Sequence, residues 1–142
     1  MTFENPAPDA LRALLQRIKT IAVVGLSPNA DRPSHRIARR LQGWNYRVIP
    51  VRPGPKEVLG EKAYPSLADV PDTIDLVDVF RPSEAIAGVV RDCISLNLPA
   101  IWIQQGIVDE DAAMRARSTG MFVVMDRCIS VEYRKLILHE KI

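Results

Sequence analysis

The sequence predicts an α/β fold with a parallel sheet covered on both faces, and three observations carry that expectation. Short apolar runs recur along the chain: Ile21–Val24, Tyr46–Val51, Ile74–Phe80, Ala100–Ile103 and Met121–Met125. Their apolar residues are nearly continuous rather than alternating, as strands buried on both faces require. Between them lie segments with helical spacing, joined by short connections, and that alternation winds a parallel sheet right-handed. With 142 residues, 47% of them hydrophobic and 25% charged, the chain suits a single globular domain, 1–142.

Each element has a local reason. Asp9 is expected to cap a first helix carrying Leu11, Leu14, Leu15 and Ile18 and ending near Lys19. The first strand runs into Gly25 and a polar loop containing Pro28 and Pro33. Ser34 is then placed to cap a helix that turns Ile37, Ala38 and Leu41 inward. Gly43 and Asn45 close the turn before the second strand, where Pro50 sits near the end and its missing N–H is tolerated. Arg52-Pro53-Gly54-Pro55 is irregular, Glu61 to Tyr64 reads as a short edge strand, and Ser66 opens at most one helical turn. Arg81-Pro82 stops the Ile74–Phe80 strand. Ser83 is expected to cap a helix whose Ile86, Val89, Val90, Cys93, Ile94 and Leu96 face the core. Pro99 precedes the Ala100–Ile103 strand, and Asp109, Glu110 and Asp111 put negative charge at the start of a helix ending at Gly120. Met121–Met125 is the last strand, and a final helix starts at about Ser130.

Several function classes are disfavoured at once. A net charge of +2 is too small to argue for nucleic acid or a membrane surface. No apolar run is long enough to span a bilayer, and Met1 to Pro6 lacks a basic stretch followed by an apolar one. Cys93 and Cys128 give neither a disulfide framework nor a metal-ligand spacing, so a cytoplasmic protein with reduced thiols and no metal is expected.

In such sheets ligands sit beyond the carboxyl ends of the strands, where the strand order reverses. The residues directly after each strand are therefore the candidates. The first strand gives Gly25, Leu26, Ser27, Arg32 and Ser34; the second gives Arg52 and Pro53. The Ile74–Phe80 strand ends in Phe80 and Arg81, the Ala100–Ile103 strand gives Gln104, Gln105 and Gly106, and the last gives Arg127. Strand, glycine turn and helix start together offer free backbone N–H groups and the positive end of a helix dipole to an anion. An ordinary strand–helix connection would read the same. Four arginines, Arg32, Arg52, Arg81 and Arg127, are expected to converge on one rim, opposed mainly by Asp31 and Asp126. Guanidinium forks bind phosphate oxygens bidentately, so such a rim suits a polyphosphorylated ligand.

A dinucleotide fingerprint would need G-x-G-x-x-G in the first turn and an acid after the second strand. Here Ser27 stands where the second glycine would be, and Arg52 where the acid would be. An arginine there suits an adenosine bearing a ribose phosphate, as NADP does at the 2′ position and coenzyme A at the 3′ position.

Five segments, Val23-Val24-Gly25-Leu26-Ser27, Tyr46-Arg47-Val48-Ile49-Pro50-Val51, Asp78-Val79-Phe80-Arg81-Pro82, Ile101-Trp102-Ile103-Gln104-Gln105-Gly106 and Met125-Asp126-Arg127-Cys128, resemble those of the single-domain CoA-binding proteins. These are similar in fold to the CoA-binding domain of the succinyl-CoA synthetase α subunit. The resemblance covers roughly residues 10 to 138. It implies a Rossmann-like, doubly wound sheet of six strands in the order 3-2-1-4-5-6, counting the short edge strand. It also implies that the Gly25–Ser34 loop holds a diphosphate, that Arg52 and Pro53 lie by the 3′-phosphate, that Phe80 and Arg81 flank the nucleotide, and that Gln104–Gly106 approaches the pantetheine arm. The loop Pro28-Asn29-Ala30-Asp31 departs from the family pattern, which leaves contacts from Asn29 and Asp31 open.

Catalysis is not expected. Ligases of this kind work through a phosphorylated histidine on a second domain, and this chain ends before one could begin. His35 is expected to be solvated or adjacent to phosphate, and His139 to lie on the surface. Cys128 is the one nucleophile near the site, following Arg127 and preceding a helix, and a buried structural thiol is the reading favoured for it. The expectation is a non-catalytic protein binding coenzyme A or an acyl-CoA, with no nucleic-acid or membrane partner. An NADP-dependent oxidoreductase and a protein-interaction module that keeps the fold are the alternatives.

Overall fold

The structure, a computed structural model, describes residues 2–142; Met1, the first residue of the segment read for a leader, lies outside them. A five-stranded parallel sheet runs through the centre: β1 (Thr20–Val24), β2 (Arg47–Val51), β5 (Leu76–Val79), β6 (Ala100–Ile103) and β7 (Phe122–Met125), in the spatial order β2-β1-β5-β6-β7. In register, Val23 stands beside Pro50 on one side and Asp78 on the other, and Asp78 beside Trp102. Pro50 is tolerated because β2 lies at the edge of the sheet, where its missing N–H faces no sheet strand.

The expected sixth strand is corrected. Glu61 and Lys62 form β4 in a two-stranded antiparallel hairpin with β3 (Glu57–Val58), apart from the main sheet. Of this segment only Tyr64 pairs with β2, through a single parallel bridge to Val51 in which Tyr64 N–H donates to the Pro50 carbonyl and Arg52 N–H to the Tyr64 carbonyl. The position of the third strand is kept while its ladder is reduced to one residue, because Pro65 follows at once and cannot extend it.

Two layers cover the sheet. Helices α1 (Pro8–Arg17), α2 (Pro33–Gly43) and α5 (Ile129–Leu136) bury Leu14, Leu41 and Ile129 against Ile21, Val23, Leu76 and Trp102. On the other face α3 (Ile86–Ser95), α4 (Glu110–Ser118) and a 3-10 turn at Leu67–Asp69 bury Ile86, Val90, Ala112 and Leu67 against Ala22, Val77, Val79 and Ile101. Alternate residues of one strand thus feed opposite cores, which explains their near-continuous apolar sequence.

Three expected caps are replaced. Pro8 and Pro33 occupy the first helical positions of α1 and α2, so Ala7 and Arg32 are the N-caps and no side chain caps either helix. Proline's fixed φ starts a helix without a capping oxygen. Asp9 instead pairs with Arg12 at 3.0 Å. Ser83 opens a 3-10 turn ahead of α3, and its Oγ accepts the Val108 N–H. Asp109 does cap α4, its carboxylate accepting the Ala112 N–H at 3.0 Å. Leu96, expected to face the core, ends α3 exposed.

Candidate ligand-binding site

The chain leaves β1 toward β2 on one side of the sheet and continues from β5 to β7 on the other, so the connections part beyond the carboxyl ends of β1 and β5. A cleft of about 900 Å³ opens there. Gly25 makes its floor. Its N–H donates to the Val51 carbonyl and Phe80 N–H donates to the Val24 carbonyl, which stitches the three strand ends together. Gly25 has φ +84°, and a Cβ at this position would lie 2.5 Å from the Phe80 carbonyl oxygen. Only glycine meets both demands.

Of the residues selected from the sequence, Gly25, Ser27, Arg32, Ser34, Arg52, Pro53, Phe80 and Arg81 line the cleft. Three of the four arginines therefore converge, and among the described residues none of the three forms an ion pair. Arg52 is half-buried, and its Nε is enclosed with no hydrogen-bond partner. A buried guanidinium N–H left unpaired is costly, and it marks where an acceptor is missing.

The other selected residues lie elsewhere. Leu26 is fully buried in the α2 face of the core. Gln104 is 4% exposed, and its Oε1 accepts the Ile129 N–H at 3.2 Å. Gln105 and Gly106 are exposed, with Gly106 N–H donating to Asp126 Oδ1 at 2.7 Å. Arg127 does not join the rim: its guanidinium turns back to the Asp126 carbonyl, and its own carbonyl accepts the Trp102 indole N–H. Asp126 is engaged with Gly106 and so opposes none of the cleft arginines. Cys128 is half-buried at the N-cap of α5 and outside the cleft wall; Cys93 is buried among apolar residues, its thiol pushed up to about 12 by desolvation and by Asp92.

The sequence reading missed part of the wall. Pro65, Ser66 and Leu67 follow the one-residue bridge at Tyr64, so treating that bridge as a strand end would have found them. Val89 and Asp92 stand three apart on α3, and Asp92 brings the cleft a carboxylate. Ile107 follows the Gln104–Gly106 turn.

The amide cradle expected of the Gly25–Ser34 loop is partly taken up by hydrogen bonds inside the loop. Ser27 N–H donates to Ser34 Oγ, Asn29 N–H to Ser27 Oγ and Asp31 N–H to Asn29 Oδ1. Arg32 N–H donates to the Asn29 carbonyl and His35 N–H to the Arg32 carbonyl, while Pro28 and Pro33 have no N–H. Ser27, Asn29, Asp31 and Arg32 N–H are thus spent within the loop and Gly25 N–H on Val51, whereas Leu26, Ala30 and Ser34 N–H donate to no protein acceptor among the described residues. Positive charge for an anion comes chiefly from Arg32, Arg52 and Arg81 and from the α2 dipole. Among the described residues no group of three or more His, Cys, Asp or Glu could hold a metal ion, and no helix is long and apolar enough to cross a membrane.

Comparisons with known proteins agree with this geometry. Residues 19–134 match the family described as CoA binding domain. The uncharacterized protein YneT of Bacillus subtilis is 42% identical over 131 residues, which cover 92% of this chain and 97% of that one. The ADP-forming acetate–CoA ligase II of Archaeoglobus fulgidus is 30% identical over 76% of this chain, a match spanning only 16% of the ligase. Among solved structures, a hypothetical protein from Pyrococcus horikoshii superposes with a TM-score of 0.89 at 33% identity, covering 96% of this chain and 99% of its own. A Rossmann-like sheet whose reversal point carries unpaired arginines, matched over most of its length, places the chain in the CoA-binding domain family.

Proposed function

We propose that the protein binds coenzyme A, free or acylated, in the cleft beyond β1, β2 and β5, and that it does so without catalysing a reaction. The observation that carries this reading is the enclosed, unpartnered Nε of Arg52 at the end of β2, in a cleft whose other arginines also lack ion pairs. The site fits the ligand's chemistry. Arg52 and Pro53 would meet the ribose 3′-phosphate, Arg32, Arg81 and the Ser34 hydroxyl the diphosphate, and Phe80 the nucleotide. Bound coenzyme A would supply a thiol on a flexible arm, which runs past Gln105 and Ile107 in this reading. Gln104 supports that turn from beneath rather than touching the arm.

The ligase relatives are far longer than this chain, and their activity belongs to the whole protein. Here His35 is bonded to a backbone carbonyl and His139 is exposed beyond α5, so neither is offered to the cleft. The proposal includes a cytoplasmic setting, which two free cysteines suit.

Calorimetric titration of the purified protein with CoA, NADP and NAD tests the reading. CoA should bind and NAD should not. Binding of NADP in preference to CoA would overturn it in favour of an oxidoreductase, and binding of none would favour an interaction module.

A further inference from the structure

The Ser27–Ser34 loop is held by ties from the first turn of α2, and one of them comes from outside the cleft wall. His35 is half-buried, with its ring Nδ1 2.9 Å from the Ser27 carbonyl oxygen. A carbonyl oxygen only accepts, so Nδ1 carries the hydrogen, and the neutral ring is the Nδ1–H tautomer. Ser34 accepts the Ser27 N–H through Oγ at 3.0 Å. Two consecutive residues of α2 thus grip both backbone polar groups of Ser27.

The consequences run in two directions. With its oxygen taken up by Ser27 N–H, the Ser34 hydroxyl has its proton to give, and Ser34 lines the cleft. Ser27 Oγ accepts Asn29 N–H, and the Asn29 carbonyl accepts Arg32 N–H, so the placement of Ser27 reaches the backbone of a cleft arginine. His35 lies at the root of this chain of bonds while contributing nothing to the cleft surface.

We propose that His35 is a positioning residue of the ligand site: its Nδ1–H pins the Ser27 carbonyl, and through it presets the loop that presents Ser34 and Arg32 to the diphosphate. The role rests on the coenzyme A reading of the cleft. Losing the pin frees the Ser27 peptide to rotate, and the loop must then be ordered at the expense of binding.

Two measurements test it. In ligand-free protein, long-range proton–nitrogen correlation of the imidazole should show the Nδ1–H tautomer; an Nε2–H tautomer overturns the pin. In calorimetry with CoA, His35→Asn places an amide N–H where Nδ1 stood and should bind within about threefold of wild type. His35→Phe keeps a ring without a donor, and His35→Gln puts its amide near the Nε2 position. Both should bind about tenfold more weakly. A space-filling role predicts the reverse order, with the ring of Phe rescuing and the smaller Asn failing. Equal binding by Asn, Gln and Phe variants sinks the positioning role alone. A wild-type protein that does not bind CoA overturns the ligand reading and this role with it, and no variant is needed to see that.

Discussion

The two halves of the sheet's carboxyl edge are built from the same residue types and behave in opposite ways. Around β2, β1 and β5, Arg32, Arg52 and Arg81 border an open cleft without ion pairs, and Arg52 Nε has no partner. Around β6 and β7 the polar groups answer one another. Gln104 takes the Ile129 N–H, Asp126 takes the Gly106 N–H, and the Arg127 carbonyl takes the Trp102 indole. Topology makes the difference. Strand order reverses between β1 and β5, so the connections diverge and leave a crevice. From β5 to β7 it advances steadily, and the turns close over one another. One half stores unmet hydrogen-bonding capacity for a ligand; the other spends its capacity on the fold.

The sharpest way to break this comparison is at the floor of the open half. Gly25→Ala puts a methyl 2.5 Å from the Phe80 carbonyl oxygen, in a backbone conformation with φ +84°. Left-handed strain and the clash together should cost about 3 kcal/mol or more. Urea denaturation reads this directly, and an unchanged midpoint would mean that the three stitched strand ends can separate freely.

Between the halves lies Asp78, in the middle of β5 between Val23 and Trp102, fully buried with both carboxylate oxygens unpartnered. Burial raises its pKa well above the usual carboxylate range. The native state therefore keeps a proton that the unfolded chain releases above about pH 4. The sign follows: this contribution is fully present below the unfolded pKa and is lost as pH rises toward the folded one. Asp78→Asn removes the titration, so its stability relative to wild type should grow with pH by at most about 1.4 kcal/mol per unit. Denaturation curves at several pH values between 5 and 8 check it, and parallel profiles for the two proteins contradict it.

Arg52→Ala sharpens the ligand side. A hydrogen bond to a charged partner contributes roughly 1.5–3 kcal/mol, so CoA should bind about 10- to 100-fold more weakly. Dephospho-CoA, which lacks the 3′-phosphate, should lose much less. Stability should barely fall, because the unpartnered Nε is relieved at the same time. Equal losses for both ligands would move Arg52 to a structural role through a coupling energy near zero.

The strands and the residues that follow them were legible in sequence for a physical reason, while the strand order came from the family resemblance. Strand interiors are fixed by apolar continuity, and Gly25, Arg52 and Arg81 follow directly from the ends of β1, β2 and β5. What stayed hidden depends on partners far away in the chain. Gln104 looks as available as Arg52 until Ile129 is seen to hold it, and Arg127 until its backbone is seen tied to Trp102 and its guanidinium turned back to the Asp126 carbonyl. Local competition hid the caps, since Pro8 and Pro33 start helices that Asp9 and Ser34 were expected to open. The α3 wall was hidden by a shared pattern: Val89 has core spacing and packs partly against the core yet borders the cleft, while its neighbour Val90 is fully buried.

The smallest effect is expected in the closed half, where it discriminates most finely. Gln104 follows β6 as Arg52 follows β2, and a reading by strand ends alone makes both ligand contacts. Its amide oxygen, however, is the acceptor for Ile129 N–H, the first amide of α5, whose other neighbours are the apolar residues of that core. Gln104→Leu removes the acceptor and leaves that amide buried and unpaired, at a cost of about 1–3 kcal/mol. Leucine fills most of the space, so little is added for a cavity. CoA affinity should then stay within about threefold, since what is lost is a tie between β6 and α5 rather than a contact. The converse result, native stability with weakened CoA and unchanged affinity for an adenosine 3′-phosphate fragment, would return Gln104 to the pantetheine path and erase the contrast between the two halves.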